Sequence, residues 1–155
     1  MKIFLAADHA GFEHKEILKR HLKQMGYKVS DEGAFSLEPA DDYPDFMHMA
    51  VLRLTGEEPG QARVILLGGS GQGEAMVANR YQGVRAAVYY GGSKEILTLA
   101  RTHNNANVLA LGSRFLATEE IIEAVDLWLN TDFSGEDRHI RRIVKIDNPQ
   151  EELEF

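Results

Sequence analysis

The sequence predicts an α/β domain built on a five-stranded parallel sheet with helices on both faces. Three observations carry that expectation. Five short apolar runs (Lys2–Ala7, Tyr27–Asp31, Arg63–Leu67, Arg85–Tyr90 and Asn107–Leu111) alternate with stretches of helical periodicity. The runs are near-continuous rather than alternating, as strands covered on both faces must be. Polar or glycine-rich residues follow the first, third and fifth runs, and in such folds ligands sit beyond the carboxyl ends of the strands.

The first strand breaks at Asp8-His9-Ala10-Gly11. A helix follows to about Met25, with Leu18, Leu22 and Met25 at helical spacing and Gly26 as its stop. After the second strand, Glu32 to Pro44 is a polar loop ending in Asp41-Asp42-Tyr43-Pro44. Pro44 suits a first helical turn, and a helix to about Thr55 puts Phe46, Ala50 and Leu54 on one face. The third strand runs into a glycine-rich loop and a helix that ends before Gly83. Ser93 is a candidate cap for a helix over Lys94–Thr102. Thr118-Glu119-Glu120 reads as a cap followed by acids, opening a helix to about Leu129. A last helical piece carries Arg138, His139, Arg141 and Arg142. One domain over 1–147 is expected, with an acidic tail, Asn148–Phe155, that should fray.

Composition narrows the function. With 155 residues the chain can bury roughly 70% of its unfolded surface. A net charge of −7 disfavours nonspecific binding to nucleic acid or anionic membranes. No apolar run approaches the ~18 residues of a membrane helix. There are no cysteines, which excludes disulfides and thiol catalysis. With no export signal, the expected location is cytoplasmic.

The chemistry centres on Gly68-Gly69-Ser70-Gly71-Gln72-Gly73-Glu74, four glycines in six positions between a strand and a helix. Converging backbone N–H groups make such a turn an anion cradle. It is not a Walker loop, because Glu74 and Ala75 stand where Lys and Ser/Thr are required, and a dinucleotide fingerprint fails at Glu74 or Met76. A carboxylate at that mouth repels a phosphate dianion. It suits proton removal beside an oxygen that becomes negative, with Glu74 as base and the loop as oxyanion hole. The alternative is a plain strand-to-helix turn with a surface Glu.

Other residues stay open when read singly. Asp8 beside His9 can orient the imidazole or bind a sugar hydroxyl, or it can be a helix cap next to a chance His. His103 follows a helix, where a structural His⁺ is favoured, yet beside a base it becomes an acid–base candidate. Arg138 and Arg142, spaced i, i+4, form either a phosphate fork or a solvated basic face. Tyr43 either lines a pocket or packs. His14, His21 and His48 lack ligand-like partners and there is no Cys/His cluster, so no metal is expected.

Taken in order, Asp8-His9-Ala10-Gly11, Asp42-Tyr43-Pro44, Gly68 to Glu74, Ala78-Asn79, His103-Asn104, Asn107-Val108-Leu109-Ala110, Gly112-Ser113-Arg114 and Arg138 with Arg142 resemble the type B ribose-5-phosphate isomerases. Their wider family includes galactose-6-phosphate isomerase subunits, and the resemblance runs from residue 2 to about 146. It implies a Rossmann-like three-layer α/β/α sandwich and a homodimer, or a dimer of dimers, with active sites between subunits. The implied reaction interconverts ribose 5-phosphate and ribulose 5-phosphate through a cis-enediol, without metal or cofactor. By this resemblance His103 opens the sugar ring, Asp8 contacts sugar hydroxyls, and Gly69, Ser70, Gly71 and Gly73 hold the enediolate. Asn104 contacts the open-chain sugar, while His9, Arg114, Arg138 and Arg142 bind phosphate, some from the neighbouring subunit. Many members place a cysteine base at the position of Gly68; this chain resembles the branch that uses Glu at position 74. A six-carbon substrate (allose 6-phosphate or galactose 6-phosphate) and a noncatalytic sugar-phosphate-binding module are the alternatives.

Overall fold

A computed structural model describes residues 1–148; the expected acidic tail beyond Asn148 lies outside the described residues. Among these residues five strands alternate with five helices and a sixth helix follows: β1 (Lys2–Ala7), α1 (Phe12–Gln24), β2 (Lys28–Asp31), α2 (Tyr43–Thr55), β3 (Ala62–Gly68), α3 (Gln72–Ala78), β4 (Ala86–Tyr89), α4 (Glu95–Thr102), β5 (Val108–Gly112), α5 (Thr118–Leu129) and α6 (Asp137–Asp147). Every strand pairing is parallel, in the order β2-β1-β3-β5-β4.

Burial explains the apolar runs. β3 and β5 are buried at every position, so both faces must be apolar. Alternate residues feed two cores. Ile65, Leu67, Leu109 and Leu111 meet Leu18 and Leu22 of α1, Leu97 of α4 and Trp128 of α5. Val64, Leu66, Val108 and Ala110 meet Met47 and Val51 of α2 and Ala75 and Ala78 of α3. The result is the three-layer sandwich expected.

Strand order reverses between β1 and β3, because the chain winds from β1 outward to β2 and then crosses to the other side. Such a switch point opens a crevice between loops that diverge. The register Ala7↔Leu67 and Gly68↔Gly112 sets the starts of three loops level there. The loop after β2 is tied to the same edge. Ala7 and Ala34 exchange backbone hydrogen bonds with Gly33 and Ala7, and the buried Lys15 ammonium donates to Asp31 and to the Ala34 carbonyl.

Two caps differ from expectation. Thr118 is the first helical residue rather than the cap: Ala117 holds the cap position, and its N–H donates to Glu120 Oε2 at 2.8 Å. The carboxylate reaches back to the cap amide, the half of a capping box that needs no hydroxyl. Ser93 stands one residue before the cap position yet still accepts the Glu95 N–H, at 3.3 Å.

Gly11, at the entry to α1, has no room for a side chain, because a Cβ would run into the Leu67 carbonyl of β3. Gly11→Ala should therefore force the Asp8–Gly11 turn off β3 and destabilise the fold by about 1–3 kcal/mol. A lowered urea midpoint with unchanged slope is the expected readout; an unchanged midpoint would contradict the packing.

Candidate active site

Glu74 lies at the switch point, beyond the carboxyl end of β3. It is the third residue of α3, which starts from Gly71 in a left-handed conformation (φ 77°). That turn folds α3 back so that the Glu74 carboxylate lies against Gly68, the last residue of β3. A Cβ built on Gly68 would occupy the position of Glu74 Oε1. The glycine is thus required by the carboxylate. Glu74 is only 4% exposed. Burial pushes its pKa up, and the neighbouring Asp8 charge pushes the same way; the backbone amides of Glu74 and Gly71 work against both.

The surroundings assemble from the loops after β1, β2, β3 and β5 at the same edge. Asp8 is buried, and its Oδ1 accepts the Gly11 N–H at 3.1 Å. The Arg114 guanidinium sits 3.4 Å from where a Gly69 Cβ would be. It is brought there by the Ser113 and Arg114 amides, which donate to Gly68 and Gly69. The Tyr43 ring covers Gly73 so closely that a Cβ there would lie 2.7 Å from it. Tyr43 thus packs on the core and against the glycine loop. Ser70 Oγ accepts the Gln72 N–H at 3.3 Å, closing the loop on itself.

Asp8 does not orient His9. Their closest approach is 3.9 Å, whereas His9 Nδ1 lies 2.6 Å from Asp41 Oδ1, and the His9 amide donates to the same oxygen. Asp41 is missing from the expected site, since it stands 32 residues away in a loop with other acids. The Asp42-Tyr43-Pro44 motif beside it was the one available signal. Asp41 Oδ2 is buried and makes no hydrogen bond among the described residues. Asp8, His9 and Asp41 are the one trio of such groups with ligand-like proximity among the described residues, and a direct hydrogen bond already closes it. His21 and His48 are engaged elsewhere, with Asp126 and the Tyr81 hydroxyl.

The remaining expected residues lie at the opposite edge. α4 runs back along the sheet, so His103 at its end reaches the level where the strands begin. Arg85, immediately before β4, donates to the Asn104 carbonyl, which fixes Asn104 there as well. The Ser134 amide donates to the Thr102 carbonyl and Arg85 pairs with Asp147, so both ends of α6 are held at this edge. Between that edge and Gly68 lies roughly 13 Å of sheet, four residues at about 3.3 Å each. One chain thus brings together Asp8, His9, Tyr43, the glycine loop, Glu74 and Arg114. It does not bring His103, Asn104, Arg138 or Arg142 to them.

At the far edge His103 stacks on His139, with ring centroids 4.2 Å apart and planes 15° from parallel. His139 was not among the expected site residues. It is buried, its Nε2 makes no hydrogen bond among the described residues, and burial together with the neighbouring His103 and Arg138 pushes its pKa down.

The raised Glu74 pKa has a stability consequence. A carboxyl whose folded pKa exceeds its unfolded value favours folding below the unfolded pKa, and that contribution is lost as pH rises through the folded one. Glu74→Gln removes the cost of burying the charge. The variant should match the parent in thermal midpoint near pH 4 and exceed it at pH 7 and above. A parent more stable than the variant at neutral pH would contradict this.

The geometry can be set beside known proteins. The profile of the Ribose/Galactose Isomerase family matches residues 3–146. Ribose-5-phosphate isomerase B of Mycobacterium leprae is 43% identical over 143 residues, which is 92% of this chain and 86% of that one. Among solved structures, ribose-5-phosphate isomerase B of Mycoplasma genitalium with bound ribulose-5-phosphate superposes with a TM-score of 0.90 at 40% identity, covering 97% of each chain. The ribose 5-phosphate isomerase of Thermotoga maritima does so at 0.84 and 44% identity, covering 94% of this chain and 97% of that one. With its switch-point crevice and nearly full-length matches, this chain belongs to the ribose/galactose isomerase family.

Proposed function

We propose that this chain is a metal-independent aldose–ketose isomerase that interconverts ribose 5-phosphate and ribulose 5-phosphate through a cis-enediol. The observation that carries the reading is the buried Glu74 carboxylate seated on Gly68, with its pKa pushed up, beside a loop of close-packed glycines. A base needs a pKa nearer the working pH than a solvated carboxylate has, and burial supplies that. Glu74 takes the proton from C2 and returns it to C1, both carbons lying on one face of a cis-enediol. Amides of the Gly69–Gly73 loop and Ser70 hold the oxygen that becomes negative. Asp8, with one oxygen already fixed by Gly11, accepts from sugar hydroxyls.

The phosphate and the ring-opening acid require a second chain. His9, aligned by Asp41, and Arg114 contribute the phosphate contacts of one edge. Arg138 and Arg142, with His103 and Asn104, contribute from the opposite edge of a partner. Exposed apolar residues on both edges support this pairing: Tyr90 and Phe115 near Arg114, and Ile140, Val144 and Ile146 on α6. An α6 face that apolar and that exposed is unusual for a lone domain. The functional unit of this proposal is a homodimer, alone or within a dimer of dimers, with two shared sites. His139, stacked on His103, then acts as a positioning residue.

Space supports Glu74 as the base. A cysteine at position 68, the alternative base that the family resemblance implies, would need the volume that Glu74 fills here. Glu74→Gln should lower kcat by roughly 10²–10⁴ with the fold intact. Gly68→Ala should lose activity comparably, because its methyl displaces the carboxylate. Substrate incubated in D₂O should acquire deuterium at C2 with the parent and not with either variant. Full exchange by Glu74→Gln would remove the assignment. Faster turnover of allose 6-phosphate or galactose 6-phosphate than of ribose 5-phosphate would move the substrate to six carbons. No exchange with any sugar phosphate would leave a binding module.

A further inference from the structure

A second cluster of cations lies under the sheet, and the isomerase chemistry does not use it. Arg63, on β3, and Arg101, on α4, are 9% and 5% exposed. Both guanidinium groups lie near the Trp128 ring, at 5.2 and 5.9 Å from its centroid. They tie down loops: Arg63 Nη1 donates to the Trp128 and Leu129 carbonyls at the end of α5, and Arg101 donates through Nε to Thr131 and through Nη1 to Asn105 and Ala106. Those bonds leave Arg63 Nε and Nη2 and Arg101 Nη2 without a protein acceptor among the described residues.

Buried charges are ordinarily paired, because desolvating a lone ion is costly. Here no described carboxylate reaches ion-pair distance of either group. Asp132 acts on both only from farther away, and burial together with the Arg63 charge lowers the Arg101 pKa to about 10. Both residues line a cavity of about 360 Å³ below the N-terminal ends of the strands. Its wall also carries Arg85, Glu57, Glu58 and Asp147. Glu57 is held by Lys2 and Asp147 by Arg85, which leaves Glu58 as the wall acid without a cation partner among the described residues. Neither His103, Arg138 nor Arg142 lines it.

We propose that this cavity is a second anion site, in which the free N–H groups of Arg63 and Arg101 hold a compact tetrahedral oxyanion of the phosphate or sulfate class. It is separate from both halves of the proposed catalytic site. The Nε–Nη2 fork of Arg63 together with the Nη2 of Arg101 suits such an oxyanion better than a monovalent halide.

The test is calorimetric titration of orthophosphate, and separately sulfate, into the full chain carrying Arg138→Ala and Arg142→Ala, at constant ionic strength in chloride. Those changes weaken the proposed catalytic phosphate site, so binding that remains is assigned elsewhere. One saturable site per chain is expected. Adding Arg63→Lys or Arg101→Lys, each checked for an unchanged circular-dichroism spectrum, should weaken it roughly tenfold. No saturable binding, or binding unchanged by both lysine variants, would overturn the proposal. Neither result bears on the isomerase reading, which the deuterium exchange tests separately.

Discussion

The Glu74 carboxylate occupies the space where any other residue at position 68 would put its Cβ. Much of the site depends on that contact. It requires glycine at the end of β3 and a left-handed Gly71 to turn the chain back sharply. It also needs a helix short enough to end at Ala78 before the chain returns to β4. The same close approach takes the carboxylate out of water, and its pKa rises mainly for that reason. A base tuned in this way is bought with stability, the usual exchange at a catalytic centre. Tyr43 and Arg114 then close over Gly73 and Gly69, positions where side chains would hold them off.

A second constraint is topological. In a parallel sheet with right-handed crossovers, loops after strands gather at one edge and loops after helices gather at the other. Asp8, Glu74 and Arg114 follow strands; His103 and Asn104 follow a helix. No local adjustment can bring these sets together across the length of β3 and β5 within one chain. Symmetric pairing of two chains does so twice, which is why the proposed site requires a partner. The His103–His139 stack and the exposed apolar side of α6 have their natural place at that junction.

The fold was legible because its signals are local. Continuous apolar runs such as Val64–Leu67 are what double-sided burial requires, and glycine or a polar break marks each strand end. Glu74 could be singled out because a carboxylate defeats both phosphate-loop motifs. Asp41 could not, since its pairing with His9 depends on how an irregular loop is pinned by Lys15 and Gly33. The separation of His103 from Glu74 was within reach: alternation of strands and helices already implies opposite edges. Reading His103 as the neighbour of a base joined chemistry without asking which end of the sheet each residue occupied. The burial of His139 against His103 depends on where α6 docks, and α6 has no strand to register it.

The central claim is that one chain's Glu74 works with another chain's His103. Mixing two inactive variants, Glu74→Gln and His103→Asn, after co-refolding tests it most directly. If the site is shared, random pairing makes half the dimers mixed, and each mixed dimer holds one intact site. Activity should recover to roughly a quarter of the parent's. A mixture as inactive as its components would contradict the account, placing both residues in the site of a single chain.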